Sequence, residues 1–191
     1  MKLVGWHTLI DDGYGQTPEF DQEQADAREG IARIRWPEGS KEFTINPKRK
    51  GNGVKPIKDA FIAHLKAQGW IPEHEYFDAH LTHPDSDLKP FVVEWETGNI
   101  SSSHRAINRI GLGMLDGRIS GGLLVVPTKQ MYQYLTDRVG NFYELERYLP
   151  LWRLWDGKVG FGYFGIVTVE HDGTSPTVPL IAKGTDGRAL L

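Results

Sequence analysis

Three acidic residues, Asp78, Glu94 and Glu96, have the types and spacing of a metal-assisted hydrolytic site. Side chains alternate between the two faces of a β-strand, so Glu94 and Glu96 in the segment FVVEWETGN are expected on one face, about 7 Å apart. If the segment YFDAHL forms a second strand that pairs with it in antiparallel fashion, Asp78 reaches the same place. Carboxylates this close repel one another unless water or a cation lies between them. Oxygen ligands at this density favour Mg²⁺, which typically binds one or two carboxylates together with water and a substrate phosphate.

Two alternatives to this interpretation remain open at the level of sequence. The Glu-x-Glu spacing also fits an edge strand with one wet face. In addition, Asp85 and Asp87 also precede Glu94 and could supply the first carboxylate. We favour Asp78, because it lies in an apolar strand context, whereas the other two aspartates lie in a segment rich in turn-forming residues.

Three histidines near the acidic segment, His74, His80 and His83, raise the alternative of a zinc site. His80 and Asp78 are two residues apart and would share one face of a strand, as a histidine–carboxylate zinc site requires. Histidines around a turn are also typical of an ordinary surface, so Mg²⁺ is the favoured cofactor. The absence of cysteine from the sequence excludes disulfide bonds and cysteine-ligated zinc.

The charge distribution is more informative than the net charge of −3. Residues 46–58 contain five basic residues and no acid, whereas residues 73–96 contain seven acids and one base. The five bases are Lys48, Arg49, Lys50, Lys55 and Lys58. A basic segment close to an acidic cluster is what a phosphate-binding surface beside a cation site needs, although ordinary solvated loops have similar compositions.

Two segments are candidate DNA contacts. The first is the glycine-containing loop NPKRKGNG with the start of the following helix, and the second is the polar start of the helix after FVVEWETGN. The candidates in the first are Lys48, Arg49, Lys50, Asn52 and Lys55, and those in the second are Ser102, Ser103, His104 and Arg105. Glycines permit close backbone approach to a ligand, and a helix start favours anions. The serines could instead be helix caps.

Hydrophobic periodicity and turn residues predict alternating strands and helices, which indicates an α/β protein with a mixed central sheet flanked by helices. The predicted helices cover 17–33, 54–68, 101–115, 129–139 and 142–155. The predicted strands cover 42–45, 76–81, 91–96 and 121–127, with one or two more within 158–170. The apolar run GGLLVVP is typical of a buried central strand.

The order of these segments resembles the PD-(D/E)XK nucleases. The strand YFDAHL, the segment FVVEWETGN, a helix in SSSHRAINRIGLGM and the strand GGLLVVP are most similar to the BamHI/BglII branch of type II restriction endonucleases. In that branch, glutamate or glutamine replaces the final lysine of the motif. The resemblance covers residues 42–130 and implies a restriction-endonuclease-like fold.

The resemblance also implies a function and roles for individual residues. It implies a homodimer that cleaves double-stranded DNA at a specific, palindromic site with Mg²⁺ as cofactor. Asp78 and Glu94 would be the metal ligands, and Glu96 would take the position of the lysine. Glu96 cannot supply a positive charge, but it could order or deprotonate the attacking water or hold the water shell of a second metal ion.

Length and composition predict a single nuclease domain over residues 1–191, without a signal peptide or membrane span, and therefore a cytoplasmic protein. Three other functions remain open: a less sequence-specific nuclease of the same fold, a catalytically silent DNA-binding module, and a glycoside hydrolase using Glu94 and Glu96. The basic loop suits a phosphodiester better than a neutral sugar.

Overall fold

A six-stranded mixed β-sheet forms the centre of the computed structural model, which describes residues 1–74, 77–136 and 138–184, with His74 described by its backbone alone. The chain's strands are β1 (Lys2–Asp11), β2 (Thr44–Ile45), β3 (Ile71–His74), β4 (Phe77–Leu81), β5 (Phe91–Trp95), β6 (Gly121–Pro127), β7 (Tyr163–Glu170) and β8 (Gly173–Thr174). The sheet order is β1-β7-β6-β5-β4-β3, and β2 pairs with β8 separately. Strands β5, β6 and β7 run parallel, whereas β1, β4 and β3 pair antiparallel with their neighbours.

Helices cover both faces of this sheet and bury a separate apolar core on each. They are α1 (Pro18–Arg33), α2 (Lys55–Ala67), α3 (Ile100–Leu115), α4 (Lys129–Tyr132), α5 (Phe142–Glu146) and α6 (Leu149–Trp152). On one face, α1 and α2 contribute Ile31 and Phe61 to the first core. On the other face, α3 and α6 contribute Ile110 and Trp152 to the second. This architecture confirms the predicted α/β fold class. In the described part of the chain, no helix has the length and apolar character needed to cross a membrane.

The ends of the long helices follow local sequence signals. The Thr17 hydroxyl accepts a hydrogen bond from the Phe20 amide at 3.1 Å, and Pro18 occupies the first turn of α1. The Asn99 side chain caps α3 by accepting from the Ser102 amide at 3.2 Å. Such caps satisfy amides that have no partner within the helix. The predicted helices over 17–33, 54–68 and 101–115 are confirmed as α1, α2 and α3.

The predicted helix over 129–139 is wrong beyond its first turn, because α4 ends at Tyr132. The backbone that follows pairs with the basic loop instead. The Asn52 amide donates to the Tyr134 carbonyl at 3.0 Å, and the Thr136 amide donates to the Asn52 carbonyl at 2.8 Å. Position 137 lies outside the described residues.

The predicted helix over 142–155 is divided into α5, α6 and a short 3₁₀ turn at Arg153–Trp155. Pro150 lacks an amide hydrogen and its ring would clash with the carbonyl of residue 146, so one continuous helix cannot form. Pro150 lies instead in the first turn of α6, where it is tolerated.

Strands β1, β3 and β8 were not predicted, and β7 is a single strand within 158–170. The strand predicted over 76–81 corresponds to β4, and Tyr76 lies outside the described residues. Strand β5 lies between β4 and β6, so the edge-strand interpretation of FVVEWETGN is wrong. The glutamates of this segment therefore belong to a central strand and its C-terminal end.

Candidate active site

Asp78 and Glu94 lie opposite one another on the antiparallel strands β4 and β5. The register pairs Ala79 with Val93, which places the two acids in adjacent positions. The Asp78 carboxylate accepts a hydrogen bond from the Trp95 amide at 2.8 Å, and the Asp78 amide donates to Glu94 Oε2 at 3.3 Å. The two carboxylates are therefore fixed to the same part of the sheet by its own backbone.

Glu96 directly follows β5 and is 4% exposed. Its amide donates to the Val125 carbonyl at 2.9 Å, which continues the pairing with β6. The Gly98 amide donates to Glu96 Oε1 at 2.5 Å, and the Ser103 hydroxyl donates to Glu96 Oε2. Both carboxylate oxygens are thus held by the turn and helix that follow the strand.

The three acids line one open, polar cleft of about 240 Å³. Side chains from α2 and α3 complete its lining. These are Lys58, Ser102, Arg105 and Arg109. The cleft therefore combines carboxylates with cationic and hydroxyl groups, as a site for a phosphodiester and a cation requires.

Two basic side chains, absent from the predicted site, neutralise the acids. The Lys58 ammonium contacts the Asp78 carboxylate, and Arg109 Nη2 lies 2.8 Å from Glu94 Oε1. Ser102, Arg105 and Arg109 recur at spacings of three and four residues, which places them on one face of a helix. That spacing could have revealed Arg109, whereas the position of Lys58 depends on how α2 packs.

Burial makes the charged forms of the two glutamates costly. The pKa of Glu94 is raised to about 7, mainly by burial and then by the Asp78 charge, against the effects of Arg109 and Lys58. Burial also raises the pKa of Glu96, although the hydrogen bonds from Ser103 and Gly98 oppose the shift. Both carboxylates are therefore poorly solvated, and a bound cation would favour their ionised forms.

The donor set fits Mg²⁺ better than zinc. Among the described residues, no group of three or more histidine, cysteine, aspartate or glutamate side chains is placed to hold a metal ion. Asp78 and Glu94 nonetheless form an open pair, and Mg²⁺ commonly binds through one or two carboxylates, completing its shell with water and substrate phosphate. Of the histidines in the zinc alternative, His83 Nε2 contacts Glu23 at 2.8 Å, while the side chain of His74 lies outside the described residues.

The geometry favours Asp78 over the other candidate aspartates. Asp85 and Asp87 are exposed and belong to the turn that connects β4 to β5. That turn precedes Phe91, which pairs with Leu81, so it lies at the end of the strand pair away from Glu94.

Asn52, predicted as a DNA contact, has a structural role in the fold, because its side chain is fully buried. Its amide group donates to the carbonyls of Asn46 and Tyr134 at 2.8 and 2.9 Å. Its side-chain oxygen accepts from the Ile181 amide at 3.2 Å. Asn52 thus joins the basic loop to two other segments of the chain.

Two of the four candidates at the start of α3 do not line the acidic cleft. Ser103 is fully buried and donates to Glu96. The ring of His104 packs against Tyr148 and Trp152, at centroid distances of 4.8 and 5.3 Å, rather than entering the cleft. Helical geometry separates adjacent side chains by about 100°, so only some residues of this polar segment can face the cleft.

The remaining predicted DNA contacts lie in three places: the acidic cleft, a second cleft and the first turn of α2. Ser102 and Arg105 line the acidic cleft, and the Arg105 guanidinium donates to the Ser102 hydroxyl at 2.9 Å. Lys48, Arg49 and Lys50 line a second cleft, which the C-terminal segment closes on one side. Lys55 forms an exposed ion pair with Asp59 at 2.7 Å, a contact of small energetic value.

A mixed sheet that carries an aspartate and a Glu-x-Glu segment on antiparallel neighbours, in a cleft with basic side chains, defines a nuclease of the restriction endonuclease class. A family model described as restriction endonuclease BamHI matches residues 1–188, and the chain belongs to this family. The type II restriction enzyme OkrAI of Oceanobacter kriegii is 47% identical over 197 aligned positions, which cover 100% of both chains. The type II restriction enzyme BamHI of Bacillus amyloliquefaciens is 38% identical over 167 positions, covering 80% of this chain and 75% of that protein.

These similarities confirm the resemblance inferred from the sequence and the predicted class of activity, that of a site-specific restriction endonuclease. The match extends well beyond residues 42–130, where the motifs lie, to almost the whole chain. The glycoside hydrolase alternative is wrong, because the family and both relatives are restriction endonucleases.

Proposed function

We propose that the chain is a single nuclease domain that hydrolyses phosphodiester bonds of double-stranded DNA at a palindromic site, with Mg²⁺ bound by Asp78 and Glu94. The observation that carries this proposal is the adjacency of these two carboxylates on β4 and β5, in a cleft that also presents basic side chains. Membership in a family of restriction endonucleases supports it.

Bound Mg²⁺ would lower the pKa of a coordinated water and offset the negative charge that develops at phosphorus. The chain's contribution is orientation. The Trp95 amide fixes the Asp78 carboxylate, and the pairing of β4 with β5 fixes the separation between Asp78 and Glu94. A preorganised ligand pair of this kind needs little rearrangement during the reaction.

Glu96 is proposed to orient the attacking water and to accept its proton. In this step the water oxygen forms a bond to phosphorus, the bond from phosphorus to the leaving sugar oxygen breaks, and that oxygen takes a proton from solvent. The raised pKa of Glu96 makes it a stronger base than an exposed glutamate. The hydrogen bonds from Ser103 and Gly98 hold its carboxylate at the cleft.

A homodimer is the simplest arrangement for cutting both strands of a palindromic site, because each chain then supplies one active site. The homodimer is supported by four exposed leucines on α3 and the α6 region that a second copy would cover: Leu112, Leu115, Leu151 and Leu154. The Trp155 ring occupies the space beside Gly111, so these two regions are neighbours. Sedimentation of the DNA complex is expected to show two chains per site, and one chain per site would contradict the dimer.

The proposed function is tested by the products of a long DNA incubated with the purified protein and Mg²⁺. A sequence-specific enzyme gives discrete fragments whose ends share one sequence. A continuous smear would instead indicate a less specific nuclease of the same fold. The proposal would be overturned if the wild-type protein cleaved DNA neither with Mg²⁺ nor with Mn²⁺.

The basic loop is expected to contact DNA phosphates. Simultaneous substitution of Lys48, Arg49 and Lys50 by glutamine should weaken DNA binding and reduce the dependence of log K on log salt by about 0.9 for each lost phosphate contact. Fluorescence anisotropy at several salt concentrations measures both quantities. The matched control replaces three exposed lysines elsewhere, Lys66, Lys89 and Lys158. Equal salt slopes for the loop variant and the wild type would show that the loop does not contact phosphates.

A further inference from the structure

Each proposed metal-ligand carboxylate is paired with its own basic side chain. Lys58 contacts Asp78, and Arg109 contacts Glu94. The side chains of the acids are 15% and 17% exposed, and those of the bases 27% and 36%. All four groups are therefore partly screened from water but open to the cleft.

The two bases reach the cleft from helices on opposite faces of the sheet. Lys58 belongs to α2, whose apolar residues pack in the first core, and Arg109 belongs to α3, whose apolar residues pack in the second. Both side chains line the cleft with Glu94 and Glu96. The convergence is thus a property of the whole fold rather than of one local segment.

We propose that Lys58 and Arg109 are exchangeable counter-ions, which neutralise Asp78 and Glu94 before a metal ion binds and then transfer to the oxygens of the scissile phosphate. This inference rests on the proposed function of the cleft. It assigns to Lys58 and Arg109 the positive charge that a lysine in the position of Glu96 would have supplied.

Charge and hydrogen bonding both favour the exchange. In their ionised forms, Asp78 and Glu94 carry two negative charges that Lys58 and Arg109 balance. A divalent cation bound by the acids would therefore repel the bases. A phosphodiester offers anionic oxygens to the displaced ammonium and guanidinium groups, which form strong charge-assisted hydrogen bonds with such acceptors. In the described chain, Arg109 Nε is buried without a hydrogen-bond partner, so its contact with Glu94 leaves the guanidinium incompletely satisfied.

The exchange predicts that loss of either base strengthens Mn²⁺ binding but slows DNA cleavage. Lys58→Gln and Arg109→Gln each remove the basic side chain that competes with the metal ion for a carboxylate. The dissociation constant for Mn²⁺ without DNA, measured by electron paramagnetic resonance, should fall about 5- to 10-fold, which corresponds to loss of one ion pair of modest strength. Single-turnover cleavage at saturating Mn²⁺ should fall about 100-fold, because a group that stabilises the charged phosphate has gone.

One matched control lies on α2 and the other lies close to the end of α3. Lys66→Gln on α2 and Arg118→Gln just beyond α3 remove the same charge from exposed positions outside the cleft, and both readouts should stay at the wild-type level. Lys58→Met retains the aliphatic stem and serves as a second variant if Lys58→Gln has a lowered melting temperature.

Two results would overturn the inference. One is unchanged Mn²⁺ affinity in both variants, and the other is tighter Mn²⁺ binding with wild-type cleavage, which would mean that the bases only repel the ion. Failure of the proposed function looks different: the wild-type protein would bind no Mn²⁺, and Asp78→Asn would cleave DNA normally.

Discussion

Glu94→Ala is expected to lower the rate of DNA cleavage by about 10⁴-fold or more, a loss of the size seen when a central catalytic group is removed. The substitution removes one of the two carboxylates proposed to bind Mg²⁺, together with its charge. Single-turnover cleavage with saturating Mg²⁺ measures the effect, because it separates the chemical step from product release. Product formation by Glu94→Ala at close to the wild-type rate would show that Glu94 is not a ligand of the proposed metal site.

The same variant should fold at least as stably as the wild type in metal-free buffer at pH 8. The pKa of Glu94 is raised to about 7 from the usual 4.5, so its contribution to stability is present below pH 4.5 and is lost as the pH rises through 7. Alanine does not titrate, so Glu94→Ala avoids this loss of stability at pH 8, although the substitution also removes the ion pair with Arg109. A melting temperature at pH 8 that is unchanged or raised therefore separates a functional carboxylate from a structural one. An unfolded variant would contradict the assignment.

Asp78→Asn should reduce cleavage by about 10³-fold, because asparagine retains the size of the side chain but loses the charge of a metal ligand. The Trp95 amide can still donate to the remaining side-chain oxygen, so the local backbone should persist. The matched control is Asp85→Asn, an exposed position in the turn between β4 and β5, which should cleave at close to the wild-type rate. If Asp85→Asn were inactive and Asp78→Asn were active, the metal ligand would be Asp85 rather than Asp78.

The elements that position the site were predictable because they carry strong local signals. The segment FVVEWETGN, the capped helix α3 and the continuous apolar strand β6 each have a period or composition typical of one conformation. Strand β1 was not predicted, because its sequence KLVGWHTLID alternates poorly and its pairing with β7 contains two register irregularities. The extent of α4 was not predictable either, since it depends on pairing between residues 133–136 and the distant basic loop.

The acids of the site could be identified from their spacing, but their partners could not. Two strands in register bring Asp78 and Glu94 together, and that register follows from the strand pattern. Lys58 reaches the same cleft only through the packing of α2 beside the sheet, which no local pattern specifies. Asn52 and Ser103 show the converse, because polar residues in a polar segment can be buried for structural reasons when the tertiary fold supplies their hydrogen-bond partners.

The repulsion among the three acids is relieved in a way that the sequence did not reveal. From the sequence alone, a cation is expected to separate the carboxylates. The fold itself supplies Lys58 and Arg109 to two of them, and a hydroxyl and an amide to Glu96. The acids can therefore coexist in the metal-free protein, and cation binding becomes an exchange of partners rather than a condition for folding.

The central claim, that Asp78 and Glu94 bind the metal ion, is tested most directly by anomalous diffraction from crystals of the protein–DNA complex soaked with Mn²⁺. Mn²⁺ accepts the same carboxylate and water ligands as Mg²⁺ and has a measurable anomalous signal. We expect an anomalous peak about 2.0–2.2 Å from carboxylate oxygens of both Asp78 and Glu94, close to the oxygen distances typical of such ions. A peak at Asp85 and Asp87 or at the histidines, or a cleft without any peak in crystals that cleave their DNA, would contradict the account.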